Sequence, residues 1–259
     1  MNSLSTKIVG TAPLAIIGQN GSGKTTLVKL LNGLLRPNQG KVLIEGVDVA
    51  SQTVAEWSKK VGYVFQHPED QLFLETVEKE IRFGPEKIGM APKAIDLAVE
   101  KSLALTGLSQ ERQTHPFELS PTAKKFCGIA AVLAMDPAIY IFDEPTMGQD
   151  ARGKDRLAQL IATLHEQGKL VIMISHDIPF VIQTVKRVMV LVKGRLLLEG
   201  GVAYVFSKEG LLEQAQIRLP EVSLMGKKAG LTKTYLRVGD LLAQIELAQA
   251  SRDDARKGW

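Results

Sequence analysis

The chain has 259 residues, 45% of them hydrophobic and 5% aromatic, which suits one large core with at most a small appendage. Lys and Arg number 32 against 28 Asp and Glu; the net +4 is scattered, with no basic run interleaved with aromatics, which argues against a nucleic-acid partner. One cysteine, Cys127, excludes an internal disulfide and reads as a small core residue. The start of the chain lacks a basic segment followed by a long apolar one. The best apolar stretch, residues 129–142, is broken at Asp136-Pro137 before it approaches the ~20 residues of a membrane span. These features lead us to expect a cytosolic protein, or one held on a membrane by a partner.

The first 13 residues contain no Phe, Tyr or Trp. Leu14 to Ile17 reads as a buried strand, followed by Gly18-Gln19-Asn20-Gly21-Ser22-Gly23-Lys24-Thr25-Thr26. This segment fits the phosphate-loop pattern G-x-x-x-x-G-K-[ST], with a helix expected from Lys24 to Leu31. The glycines permit a tight turn whose backbone N–H groups share one concavity, and the helix N-terminus adds positive potential. Lys24 is expected on the β- and γ-phosphates, and the Thr25 hydroxyl on Mg²⁺. A glycine-rich turn that binds nothing is the alternative, and the strand-to-helix context disfavours it.

A turn at residues 36–40 precedes a strand over residues 41–46. A short helix over 54–59 and a strand over 61–65 come next. That strand runs into the polar loop Gln66-His67-Pro68-Glu69-Asp70-Gln71-Leu72-Phe73. Helices are expected at 77–83 and 92–105, the second with Pro92 at its start and Gly107 just past its end. Leu119-Ser120-Pro121 opens another helix reaching Met135. Residues 138–142 form a continuous apolar strand, 152–167 an amphipathic helix, 170–174 a buried strand, and 187–198 a hairpin turning at Lys193-Gly194. From about Gln216 the character changes to polar helical segments. Alternating strands and helices specify an α/β fold: a mostly parallel sheet flanked by helices. We expect a main domain over 1–215, containing a helical subdomain at about 76–135, and a small C-terminal extension over 216–259.

The strand over 138–142 ends in Asp143-Glu144. Ligands of open parallel sheets bind at the carboxyl ends of strands, which sets Asp143 beside the phosphate loop as a Mg²⁺ carboxylate and Glu144 as general base for water. Alone, such a pair is more often a helix-capping or surface turn; after a phosphate loop, and followed by Pro145-Thr146, the balance reverses. The next strand ends in Ser175-His176-Asp177, so His176 reaches the same edge and is a candidate hydrogen-bond partner of the γ-phosphate. Gln66 ends a further strand there, where a neutral amide can touch Mg²⁺ or water. His67, His115 and His165 have no such setting and read as surface or structural residues.

This set resembles the nucleotide-binding subunit of ABC transporters over roughly residues 12 to 205. The phosphate loop, Gln66, Asp143-Glu144, Met147-Gly148-Gln149-Asp150 and His176 carry the resemblance. Within that superfamily, residues 65–73, Asn32-Gly33-Leu34-Leu35-Arg36-Pro37 and Arg218-Leu219-Pro220 look like the ATPases of energy-coupling-factor and cobalt-type importers. The resemblance implies ATP and Mg²⁺ as ligands and hydrolysis in a pair of ATPase subunits. It also implies an integral membrane coupling protein and a substrate-binding membrane subunit as partners, uptake of a vitamin or of cobalt or nickel, and a peripheral location on the cytoplasmic membrane face. Asp150 would lie in the loop that meets the second subunit.

Three positions depart from the family pattern. Where the family has L-S-G-G-Q, a segment presented to the partner's ATP, this chain has Leu119-Ser120-Pro121-Thr122-Ala123. Pro121 has no N–H to donate and Thr122 is branched where glycine lets phosphate approach, so Ser120, Pro121 and Thr122 form a weakened site. No aromatic precedes Gly18 to stack on adenine, so that ring comes from elsewhere or adenine binding is weaker; a shortened gene product is the other explanation. Gln149 replaces a leucine before Asp150. The altered signature favours a heterodimer with a second ATPase subunit. Two alternatives stay open: a non-hydrolysing nucleotide-binding regulatory subunit, which the short N-terminus and the altered signature motivate, and a soluble ABC ATPase.

Overall fold

The computed structural model describes residues 4–231 and 233–246. The chain opens with β1 (Leu14–Ile17) and α1 (Lys24–Leu31). The segment read as one strand over 41–46 is instead a minimal hairpin, β2 (Leu43–Ile44) against β3 (Val47–Asp48). It reverses at Glu45-Gly46, both at positive φ, the geometry that closes two-residue hairpin turns. Next come α2 (Val54–Trp57), started by a reciprocal Thr53–Glu56 capping box, and β4 (Val61–Val64).

Then follow α3 (Val77–Lys87), α4 (Pro92–Thr106) and α5 (Pro121–Leu133), which pack on one another. The sequence suggested that α3 stops at Phe83, before Gly84-Pro85. It continues because Pro85 is buried and Gly84 accepts the close approach of Met135; a Cβ there would lie 2.7 Å from Met135 Sδ. Tertiary packing overrides local propensity at this point.

The remaining elements are β5 (Ile139–Asp143), α6 (Ala151–Glu166), β6 (Leu170–Ile174), α7 (Ile178–Thr184), β7 (Arg187–Val192), β8 (Arg195–Gly201), α8 (Val202–Ser207), α9 (Glu209–Gln214) and α10 (Glu221–Lys228). The sequence reading missed α7, α8 and α9, which are too short to display helical periodicity. Residues 238–246 are helical as well. Residues 247–259, assigned above to the extension, lie outside the described residues.

The main sheet runs β4-β5-β6-β1-β7-β8; every neighbouring pair is parallel except the terminal β7–β8 hairpin. Both faces are covered, as a parallel sheet requires. Side chains alternate along each strand. Ala15, Ile17, Val171, Met173, Val188 and Val190 face the larger core, shared with α3 to α6. Leu14, Ile16, Ile172, Ile174, Met189 and Leu191 face a smaller one with Leu27 and Val28 of α1 and Trp57. Cys127 is fully buried in the larger core. A separate small cluster joins Val222, Tyr235 and Leu241.

Candidate functional site

The parallel register brings four strand ends to one edge. Asp143 on β5 pairs with Ile174 on β6, and Ile174 with Ile16 on β1. Gly18, Asp143-Glu144 and Ser175-His176 therefore emerge side by side, and Gln66 emerges two residues beyond β4. Between them lies a cleft of about 660 Å³. Of the residues singled out in the sequence, Asn20, Gly21, Gly23, Lys24, Thr25, Thr26, Gln66, Asp143, Glu144 and His176 line it. The volume falls within the usual range for small-ligand sites.

Gly18, Gln19 and Ser22 do not line the cleft; they build the loop. Gly18 has φ +152, and a Cβ there would lie 2.2 Å from the Leu191 carbonyl oxygen on β7. The close approach of two backbones is what fixes glycine at this position. The tip of the β7–β8 hairpin adds a second tie, Gly194 N donating to Ser22 O at 2.9 Å. Lys24 is buried and folds back over the loop, Nζ donating to Gly18 O (2.8 Å) and Gln19 O (2.9 Å). Burial pulls its pKa down, against the raising effect of Glu144 and Asp143.

The start of α1 is bare. Its N-cap is Gly23, no side chain caps it, and its first turn has no acidic residue. The starts of α5, α6 and α7 are each closed by their own side chains: Ser120, Asp150 and Asp177 accept from Ala123, Gly153 and Phe180 N. The open N–H groups and dipole of α1 therefore face the cleft as an anion site.

Asp143 is 3% exposed. Its Oδ2 accepts from the Tyr63 hydroxyl at 2.7 Å, and its Oδ1 is buried without a hydrogen-bond partner. Glu144 follows in the left-handed region at φ +47, held there by its N–H on Ile174 O (3.0 Å). A side chain kept in that region is strained, and such strain clusters at functional sites. Glu144 Oε2 accepts from His176 N at 3.2 Å, and His176 Nε2 stands 3.2 Å from Oε1. Burial raises the Glu144 pKa, opposed chiefly by the His176 N–H and by Lys24. Burial lowers that of His176, helped by Lys24, which favours the neutral imidazole.

The residues present fit a hard divalent cation. Asp143 Oδ1 is an unpartnered buried carboxylate oxygen, and the Thr25 hydroxyl and Gln66 amide share its cleft. Among the described residues, no cluster of three or more His, Cys, Asp and Glu side chains could hold a metal alone. A cation here would therefore complete its shell with phosphate oxygens and water, as Mg²⁺ does at nucleotides.

Asp150 serves within the chain as the N-cap of α6, with Oδ1 2.7 Å from Gly153 N. Both amide atoms of Gln149 are buried without partners. His115 caps Phe117 N, His165 meets Thr11 O, and His67 is exposed, so none of the three joins the site.

Sequence reasoning missed Tyr63 and Lys125. Tyr63 has no local signal, because its partner lies 80 residues away. Lys125 had one: it shares the buried stripe of α5 with Ile129 and Val132, four and seven residues on.

The model of the ABC transporter family matches residues 1–147. The energy-coupling factor transporter ATP-binding protein EcfA2 of Clostridium perfringens is 39% identical over 230 residues, covering 87% of this chain and 81% of that protein. The protein of the same name from Acetivibrio thermocellus is 40% identical over 217 residues, 83% and 77% of the two chains. Among solved structures, cbiO1 of Clostridium perfringens, described as part of the ABC transporter complex cbiONQ, superposes with a TM-score of 0.73. It is 30% identical and covers 86% of this chain and 90% of its own. A dimeric ATP-binding cassette in a post-hydrolysis state with ADP and Pi is 25% identical, with a TM-score of 0.70 over 77% and 89% of the chains.

Proposed function

The chain belongs to the ABC transporter family of ATP-binding proteins, and on that premise we propose that it is an ATP-hydrolysing subunit of an energy-coupling-factor type importer. The observation that carries this reading is the convergence on one cleft of an uncapped helix start, a buried lysine and the Asp143-Glu144 carboxylates. The names of the relatives point the same way.

In the proposed reaction, residues Gly18 to Thr26 cradle the phosphates of ATP. The Glu144 carboxylate takes a proton from water, the water oxygen attacks the γ-phosphorus, and the bond to the bridging oxygen breaks to release ADP and phosphate. A base with a raised pKa suits this step at neutral pH. Lys24 and neutral His176 stabilise charge developing on the γ-phosphate oxygens. Thr25, Gln66 and Asp143 are the residues that would hold Mg²⁺, which when bound neutralises phosphate charge. We assign residues 1–215 to the ATPase domain, 76–135 to its helical subdomain and 216–259 to the extension. Mutual packing of α3, α4 and α5 and the separate Val222, Tyr235, Leu241 cluster support this division.

The start of α5 favours a heterodimer. Pro121 has no N–H, Ala123 N is taken by Ser120 Oγ at 3.2 Å, and Lys124 N by Ser120 O at 2.8 Å. Only Thr122 N–H is left of the first turn to meet a partner's phosphate, beneath a branched side chain. The chain's own phosphate loop would therefore be completed by a second ATPase subunit with an intact signature, and Asp150 would lie at that interface. We place the pair on the cytoplasmic membrane face, beneath an integral membrane coupling protein and a substrate-binding membrane subunit that admits a vitamin or a cobalt or nickel ion. Among the described residues, no helix is long and apolar enough to cross a membrane.

The test is co-purification of the tagged chain from detergent-solubilised membranes. Recovery of an integral membrane protein and a second ATPase subunit supports the importer reading. Recovery of the chain free of membrane proteins, with full ATPase activity, refutes it in favour of a soluble ATPase.

A further inference from the structure

The loop from Phe65 to Leu74, which presents Gln66 to the cleft, is held by two buried polar side chains, Lys125 and Glu80, and by the half-buried Gln71. Lys125 on α5 is 3% exposed, and its Nζ donates to Gln66 O and, at 3.4 Å, to Phe65 O. Gln71 turns back on the same helix, with Nε2 donating to Gly128 O at 2.8 Å and Oε1 accepting from Phe65 N at 3.4 Å. Glu80 on α3, also 3% exposed, accepts from Phe73 N and Leu74 N through one carboxylate oxygen.

A lysine amine in a core is costly and persists where its donors are used. Burial lowers the Lys125 pKa to about 8, and Asp143, Glu69 and Glu144 are the carboxylates that favour its charge. Glu80 ties the far end of the loop, and Gln71 links its middle to α5 and to the Phe65 N–H. Lys125 alone grips the carbonyls at the residue that faces the cleft.

We propose that Lys125 is the positioning residue for Gln66: its ammonium pins the main chain at Phe65 and Gln66 to α5, fixing where the Gln66 amide stands in the cleft. Gln66 Nε2 then reaches across the cleft mouth to Met147 Sδ, 3.5 Å away. The anchor lies on α5, the helix capped by Ser120, and so ties the loop to that helix. The inference rests on the ATPase reading of the cleft for its effect on turnover, and on geometry alone for its effect on the loop.

Two measurements test it. Hydrogen exchange on the nucleotide-free full chain reads the loop without any reference to hydrolysis. Lys125→Met is expected to speed exchange across residues 65–74 by ~10-fold or more, while Lys124→Met at the adjacent position leaves it unchanged. Unchanged exchange in Lys125→Met overturns the proposal, whether or not the chain hydrolyses ATP.

In the chain assembled with its second ATPase subunit, Lys125→Met is expected to lower kcat ~10-fold with KM for ATP within about twofold, and Lys125→Arg to restore at least half of it. In a Gln66→Ala background Lys125→Met should have no further effect; losses that multiply overturn the proposal. If Lys125→Met does not fold, Lys125→Gln, which keeps an N–H donor group but loses the charge and the reach, carries the same readouts. A wild-type assembly that fails to hydrolyse ATP refutes the functional reading instead, and the exchange result still decides the clamp.

Discussion

Gly18 and Gly21, two glycines of the same loop, should behave differently when each is replaced by alanine. At Gly18 the new Cβ would meet the Leu191 carbonyl oxygen at 2.2 Å and Ser22 Oγ at 2.8 Å. The serine can rotate, but the carbonyl belongs to a strand paired with β1, so β1 and β7 must part. Overpacking costs about 1–3 kcal/mol and an unfavourable φ another 1–3, so Gly18→Ala should lose roughly 2–6 kcal/mol. For a chain of this size that is a fall of about 4–24 °C in Tm. At Gly21 a Cβ meets nothing within 4 Å, and only the strain of φ +76 remains, about 1–3 kcal/mol. Thermal unfolding of the nucleotide-free chain followed by circular dichroism at one scan rate measures both. The reasoning is refuted if Gly18→Ala melts within about 2 °C of the parent, or no lower than Gly21→Ala.

Other consequences are equally direct. Glu144→Gln should lower kcat by about 10²–10⁴-fold while ATP still binds, by rapid-quench and equilibrium binding assays. Because the folded state raises the Glu144 pKa, that group's contribution to stability is full below its unfolded value near 4.5 and is lost as pH rises through the folded one. Glu144→Gln should therefore gain Tm relative to the parent as pH goes from 4 to 8; a gain that shrinks over that range contradicts the burial argument. Lys24→Met should weaken ATP binding by ~10-fold or more, from the loss of a charged hydrogen bond, as read by calorimetry. Tyr63→Phe leaves Asp143 Oδ2 without its 2.7 Å donor and should lose about 1–3 kcal/mol in urea unfolding.

The phosphate loop, the central strands and the order of chemistry along the sheet edge were legible because each is written in contiguous residues. A glycine-rich turn sits between β1 and α1, and apolar runs end in Asp143-Glu144 and Ser175-His176. Parallel topology then does the rest, since strand ends of one polarity must share an edge. The capped start of α5 was legible too, because Ser120-Pro121 is a local signal for a helix N-terminus.

What escaped was set by distance or by packing. The Tyr63–Asp143 and Lys125–Gln66 contacts join residues far apart in the chain, and only the fold brings them together. Helix α3 runs through Gly84-Pro85 because packing against α5 outweighs two local breakers. The β2–β3 hairpin reads in the sequence as one strand because Glu45-Gly46 marks the end of a strand as readily as the turn of a two-residue hairpin.

The central claim is that this chain carries a working phosphate loop and catalytic carboxylate but a spent signature helix. Steady-state ATP turnover tests it most directly, measured for the chain alone, for the chain mixed with a second ATPase subunit of intact signature, and for the mixture carrying Glu144→Gln in this chain. The account expects negligible turnover alone, brisk turnover in the mixture, and its loss with the substitution. Brisk turnover by the chain alone would contradict it.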